Sequence, residues 1–307
     1  MILCRSLKIP LTFERSFHLM VVAVEIRLSF QVRRRLKVNL LLNDNVINLD
    51  DHRPSPNSSR TTLQIIGQVA NTGTKPFLAQ ASDNNFYWCK RLHNDHLWQS
   101  TVNEVVVSIV GQALGAPIRN WKIIEVPPEF HNHLVKDGNY RLDGTPLFGS
   151  QALHNADLDP DPQVFKFVDD DGNYNRIPLL IALLILCNGK DFQIMYDSSA
   201  ENSIWSIDHG MWFGSDEFPW VLQSENTLYG RTSVPSLTVR IENVHWEKAI
   251  SAIRSLPKDL SVKAKALIPT EWGISEVDTN RLIEFAYNRQ EYAISRLEEF
   301  RIRHGRR

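Results

Sequence analysis

The chain lacks a disulfide framework. Its three cysteines, Cys4, Cys89 and Cys187, have no C-x-x-C spacing and an odd count, so a reducing, cytoplasmic setting is the simplest expectation. Cys89 and Cys187 sit inside apolar runs and are expected as small core residues rather than nucleophiles. A hydrophobic run of membrane length is also missing. The longest, Leu179 to Cys187, falls short of the roughly 20 residues a spanning helix needs. The stretch from Leu11 to Phe30 is interrupted by Glu14, Arg15, His18, Glu25 and Arg27, which speaks against both a spanning helix and a signal peptide. Strong charge of one sign is absent too: a formal net charge of −1 argues against a whole-chain nucleic-acid binder. No internal repeat is visible.

What remains is ordinary globular material. At 307 residues, 43% hydrophobic and 22% charged, the chain can bury a full core as one bilobal domain or two modest ones. Residues 1–59 read as an extension of uncertain role. They hold a possible strand at Met20–Phe30, a basic run at Arg33-Arg34-Arg35 with Lys37, and a polar, Pro-rich linker from Asp50 to Ser59. The basic run reads as a solvated face, because it is short and has no interleaved aromatics.

From Leu63 onward the pattern becomes regular. Leu63–Gly67, Phe77–Ala81 and Phe86–Leu92 read as strands, joined by a polar turn at Asn71-Thr72-Gly73-Thr74 and a hairpin turn at Asp83-Asn84-Asn85. A Gly/Thr-rich turn offers N–H groups and hydroxyls to phosphate oxygens. Trp98 to Leu114 repeats apolar residues at helical spacing, and Gly115 with Pro117 marks its end. Lys90 therefore falls on a strand, and Glu104 on an amphipathic helix directly after it. Kinases hold their phosphate-binding lysine in this order. Ile118 to Val126 supplies a further strand, so that residues 60–126 read as a small lobe and 127–307 as a large one.

Two carboxylates follow buried runs. Leu179–Leu186 leads into Asn188-Gly189-Lys190-Asp191, and Ser203–Ile207 leads into Asp208-His209-Gly210. Phosphoryl transfer needs a cation on the phosphates, a carboxylate on Mg²⁺ and an acceptor near the attacking hydroxyl. Lys90, Asn103-Glu104, Asn188–Asp191 and Ser206–Gly210 resemble the HipA-like kinase domain, a bacterial family. Ala113–Pro117, Phe148-Gly149-Ser150, Leu256-Pro257 and Ile268–Gly273 fit it as well. The resemblance covers roughly residues 60–300.

It implies an α+β, bilobal protein-kinase-like fold, with a β-rich small lobe holding one helix and a mainly helical large lobe. It also implies an ATP- and Mg²⁺-dependent phosphotransferase, acting on a Ser/Thr hydroxyl of an unidentified protein. Membrane and nucleic-acid partners are not expected. By this resemblance Lys90 contacts the nucleotide phosphates, Glu104 orients it, Asp191 is the catalytic acceptor and Asp208 chelates the metal. Asn71, Thr72, Gly73 and Thr74 would lie over the phosphates. His209 would be structural, bonding backbone. The family commonly places a metal-binding Asn five residues after the catalytic Asp; here that position is Tyr196, and Gln193 offers an amide oxygen in its place. The alternatives are a nucleotide-binding pseudokinase and a regulatory interaction module.

Asp157 to Gly172 reads as an acidic loop containing Phe165–Val168 as a short strand or helix start. Val244–Leu256, Leu260–Leu267 and a single helix from Ser275 to Arg303 are expected downstream. Leu282, Phe285, Ala286, Ile294, Leu297 and Phe300 form the buried stripe of that last helix, and its terminal arginines suit the negative end of the helix dipole.

Overall fold

The computed structural model describes residues 61–92, 99–214, 222 and 224–307. The expectations for the extension, its basic run, Cys4 and Trp98 lie outside them.

Three antiparallel strands open the fold: β1 (Thr61–Val69), β2 (Phe77–Ala81) and β3 (Phe86–Lys90). Alternate β2 residues, Phe77, Ala79 and Ala81, are buried, as a half-covered strand requires. Helix α1 (Gln99–Leu114) follows. It is not amphipathic: Thr101, Asn103, Glu104 and Ser108 are buried along with its valines. The helix lies against both the strands and the later helices, so only Gln112 in its last turn is exposed. Gly115, at φ 70°, ends it, and the Ala116 amide bonds the Gly111 carbonyl at 2.9 Å.

Strand β4 (Trp121–Glu125), the short β5 (Leu134–Val135) and β6 (Tyr140–Arg141), and β7 (Leu147–Gln151) come next. β7 inserts between β3 and β4, and β4 closes on β1, giving a barrel in the order β1-β2-β3-β7-β4. The boundary expected between residues 126 and 127 therefore does not coincide with the edge of this sheet. Its fifth strand arrives after an excursion of twenty-odd residues, a long-range pairing that local patterning does not encode.

β8 (Ala156–Asp159) opens a second sheet. The acidic stretch expected as loop is thus partly a strand, with Asp157 exposed and Asp159 paired to Lys166 at 2.8 Å. Phe165–Val168 is neither strand nor helix; Val164 forms a single bridge to Ser236. The apolar run lies in α2 (Asn173–Leu186), where every residue from Ile177 to Leu186 is buried. Each large aliphatic side chain buried there contributes about 1.5–3 kcal/mol. β9 (Gln193–Asp197) and β10 (Ser203–Ile207) complete the sheet in the order β10-β9-β8.

The helical part continues with β11 (Ile241–Glu242), α3 (Asn243–Arg254), α4 (Leu260–Leu267), α5 (Glu276–Asn288), α6 (Gln290–His304) and β12 (Gly305–Arg306). The single final helix expected is two helices, broken at Arg289. Of the expected stripe, Leu282, Phe285, Ala286, Ile294 and Leu297 are buried, on both sides of a bend, while Phe300 is half-buried. No helix among the described residues is long and apolar enough to cross a membrane. Cys89 and Cys187 are buried and unpaired, and burial pushes both thiols well above their ordinary range.

Candidate active site

Lys90 ends β3, and its side chain turns inward to only 9% exposure. Its Nζ donates to Glu104 Oε1 and, at 2.6 Å, to Asp208 Oδ1. Burial alone would lower the ammonium's affinity for its proton; the two carboxylates outweigh this and raise its pKa above the ordinary value. Burial likewise pushes Glu104 up. The Lys90 charge and the His209 hydrogen bond more than reverse that and hold the carboxyl at about 2. An ion pair this dry requires that all its members be satisfied, since removing one strands the other's charge.

The second oxygen of Glu104 meets His209 Nδ1 at 3.2 Å, and His209 Nε2 meets Ser206 Oγ at 3.0 Å. A carboxylate only accepts, so Nδ1 carries the donating proton. His209 therefore bonds side chains, not backbone as expected from sequence. Ser206, His209 and Glu104 stand in the order of a hydrolytic triad, yet all three are buried. With Ser206 out of a substrate's reach, the trio acts as a brace for Glu104.

The two carboxylate loops meet at one end of a ladder. β9 and β10 run antiparallel with Gln193 opposite Ile207. Asp191, just before β9, and Asp208, just after β10, thus emerge at the same end. Gln193 Nε2 donates to Asp191 Oδ2 at 3.1 Å. The Phe213 amide bonds the Cys187 carbonyl at 2.9 Å, tying the chain after Asp208 to the residue before Asn188. Asn188, Asp191 and Asp208 all have positive φ, at 43°, 49° and 55°. This region is sparsely populated by residues with a side chain and is concentrated at functional sites. A Cβ on Gly189 would lie 2.3 Å from Leu184 Cδ1, so a side chain there would displace the packing beneath the turn; one on Gly210 would lie 3.0 Å from Ser100 Cβ, a tight approach of loop to helix.

The turn holding Asn71, Thr72, Gly73 and Thr74 joins β1 to β2. Because Phe77 pairs with Cys89, this turn sits at the Lys90 end of the sheet. Asn71, Thr72 and Gly73 are exposed, while Thr74 Oγ1 is buried without a partner. Tyr140 Oη bonds the Lys75 carbonyl at 3.2 Å, anchoring the turn's far side.

Tyr196 is elsewhere. It is buried within β9, accepts the Lys166 amide at 3.0 Å and packs edge-on against Phe167. The position expected to carry a metal ligand is a core position here. Gln193 lies at the ladder end, opposite Ile207. Asp208 and Gln193 offer hard oxygen ligands, the donors that suit Mg²⁺. Among the described residues no three His, Cys, Asp or Glu side chains group into a metal cage; Mg²⁺ needs only one or two carboxylates with phosphate oxygens and water.

A barrel with one helix holding a Lys–Glu pair, set against a helical lobe with two loop carboxylates, defines a protein-kinase-like α+β fold. The family model described as HipA-like kinase matches residues 62–164. That stretch includes Lys90 and Glu104 and bears out the family resemblance there; Asp191 and Asp208 lie beyond it. No curated protein matches the chain. Among solved structures, the chain is similar to the proinflammatory kinase CtkA of Helicobacter pylori, at 9% identity and a TM-score of 0.45, over 78% of this chain and 97% of that one. It is also similar to the Golgi casein kinase, at 13% identity and a TM-score of 0.44, over 80% and 75% of the two chains. A Golgi casein kinase structure with Mn/ADP bound matches at 10% identity and a TM-score of 0.43, over 76% and 73%.

Asn103, to which the sequence pattern assigns no role, also belongs to the site. Its Nδ2 donates to the carbonyls of Gly210 and Trp212 at 2.8 and 3.2 Å. A polar Asn next to Glu104, amid the valines of this helix, is the signal the sequence offers.

Proposed function

We propose that the chain is an ATP- and Mg²⁺-dependent phosphotransferase acting on a hydroxyl, with Ser or Thr of a protein as the acceptor. The observation that carries this is the buried contact of Lys90 with both Glu104 and Asp208, three residues from three separate elements. In this reading Lys90 binds the nucleotide phosphates, and Glu104 holds Lys90 in place. Asp191 takes the proton of the attacking hydroxyl as its oxygen bonds to the γ-phosphorus and the bond to the departing ADP oxygen breaks. Asp208 and Gln193 would hold the cation, which when bound neutralises charge on the phosphates. The turn from Asn71 to Thr74 would cover them.

A second reading, nucleotide binding without transfer, is favoured by the burial of Tyr196, which leaves the metal side to Asp208 and the longer Gln193. Incubation of the purified protein with radiolabelled ATP and Mg²⁺, with and without a generic protein acceptor, separates the two. Label transfer by wild type and its loss in Asp191→Asn are expected. Undiminished Mg·ATP binding with no transfer would favour the second reading.

A further inference from the structure

Beneath the Asn188–Asp191 turn lies a buried arginine that the proposed chemistry does not use. Arg289, 0% exposed, stands at the break between α5 and α6. Its Nε donates to the Ile185 carbonyl at 2.9 Å. Its Nη2 donates to Thr232 Oγ1 at 3.3 Å, and the Thr232 hydroxyl donates to Asn188 Oδ1 at 2.8 Å. The guanidinium also lies 4.8 Å from the Tyr292 ring and 5.4 Å from that of Phe285.

The contacts converge on the end of α2 and the turn that follows it. The Ile185 carbonyl belongs to the last turn of α2, where the dipole is negative; it already accepts the Asn188 amide at 3.3 Å and takes the guanidinium as a second donor. Three residues later the chain enters the positive-φ Asn188. Thr232 lies downstream of Asp208-His209-Gly210, in a segment docked on the same helices: Tyr229 stacks on Tyr292 at 4.3 Å, and the Gly230 amide bonds the Tyr292 hydroxyl. An apolar side chain would fill this space without the desolvation cost of a guanidinium. The guanidinium adds direction.

We infer that Arg289 and Thr232 are positioning residues: they fix the turn that presents Asp191 and couple to it the segment from Tyr229 to Thr232. For its effect on turnover the inference rests on the reading of Asp191 as acceptor. Its effect on the turn is measurable without turnover.

Thr232→Val removes the hydroxyl at nearly constant volume, and Thr232→Ser retains it. The amides of Cys187, Asn188 and Gly189, which bond the carbonyls of Leu183, Ile185 and Leu184, serve as reporters in hydrogen exchange. In Thr232→Val and Arg289→Met their exchange is expected to quicken about tenfold or more while β3 amides are unchanged, as for a local opening. Turnover is expected to fall about tenfold or more with Mg·ATP affinity within about twofold, and Thr232→Ser to restore both. Wild-type exchange at these amides in Thr232→Val overturns the inference, whatever the turnover. Faster exchange with unchanged turnover overturns the catalytic half. A wild type that transfers no phosphate sinks the kinase reading, and the exchange result still decides the structural tie. If Arg289→Met does not fold, the Thr232 pair carries the test.

Discussion

Asn103 reaches from α1 to the carbonyl of Gly210, 107 residues away, at 2.8 Å. It neighbours Glu104, and Gly210 lies two residues past Asp208. The contact between Lys90 and its two carboxylates is therefore reinforced by a second, neutral link between the same helix and the same loop. Asn103→Leu keeps the volume roughly constant but removes both donated bonds, each worth about 0.5–1.5 kcal/mol, and the loss should appear as a lower urea midpoint.

Lys90→Ala should weaken both ATP binding and turnover strongly, by about a hundredfold in turnover, or about 2.7 kcal/mol of transition-state stabilisation. A thermal-shift titration with ATP and a transfer assay read the two effects separately. An intact ATP response together with an unchanged rate would sink the assignment. The variant should also be less stable, because Glu104 loses its buried partner.

Asp208→Asn should reduce Mg·ATP affinity more than tenfold, since an amide cannot supply the charge a divalent cation requires. Calorimetry with and without Mg²⁺ checks this. Loss of only the Mg²⁺-dependent part supports a metal ligand, whereas equal affinity in variant and wild type counts decisively against one.

Acid stability should depend on Glu104. Its folded pKa, about 2, lies below the ordinary value of 4.5, so the unfolded chain binds the proton first. The stability it contributes is present above about pH 4.5 and is lost as pH falls toward 2. Urea midpoints at pH 6 and pH 3 should fall further apart for wild type than for Glu104→Gln. Equal differences would show that the Lys90–Glu104 contact is not retained in solution.

Gln193→Ala should slow transfer more than about tenfold, or about 1.4 kcal/mol. Tyr196→Asn should not restore a metal ligand. It should instead destabilise the core by about 3 kcal/mol or more, in the range of large aromatic truncations. Tyr196→Phe should cost only about 1 kcal/mol for the lost bond to Lys166. A folded, faster Tyr196→Asn enzyme would put the side chain back in the site.

The strand ending in Lys90, the helix carrying Glu104 and the Gly115 stop were legible because alternation, helical spacing and turn chemistry act over a few neighbouring residues. The same holds for the apolar run of α2 and for the two carboxylates placed just beyond buried segments. Folding decided what depends on residues far apart in the chain. β7 entered the barrel through pairings with β3 and β4. Tyr196 turned into the core beside Phe167, and His209 found side-chain partners 3 and 105 residues away. The last helix broke at Arg289, whose side chain serves α2 and Thr232. A hydrophobic stripe records that a face is buried, but it carries no information about which polar group will be waiting on the other side. That is settled only when desolvation forces each buried charge and amide to find a partner.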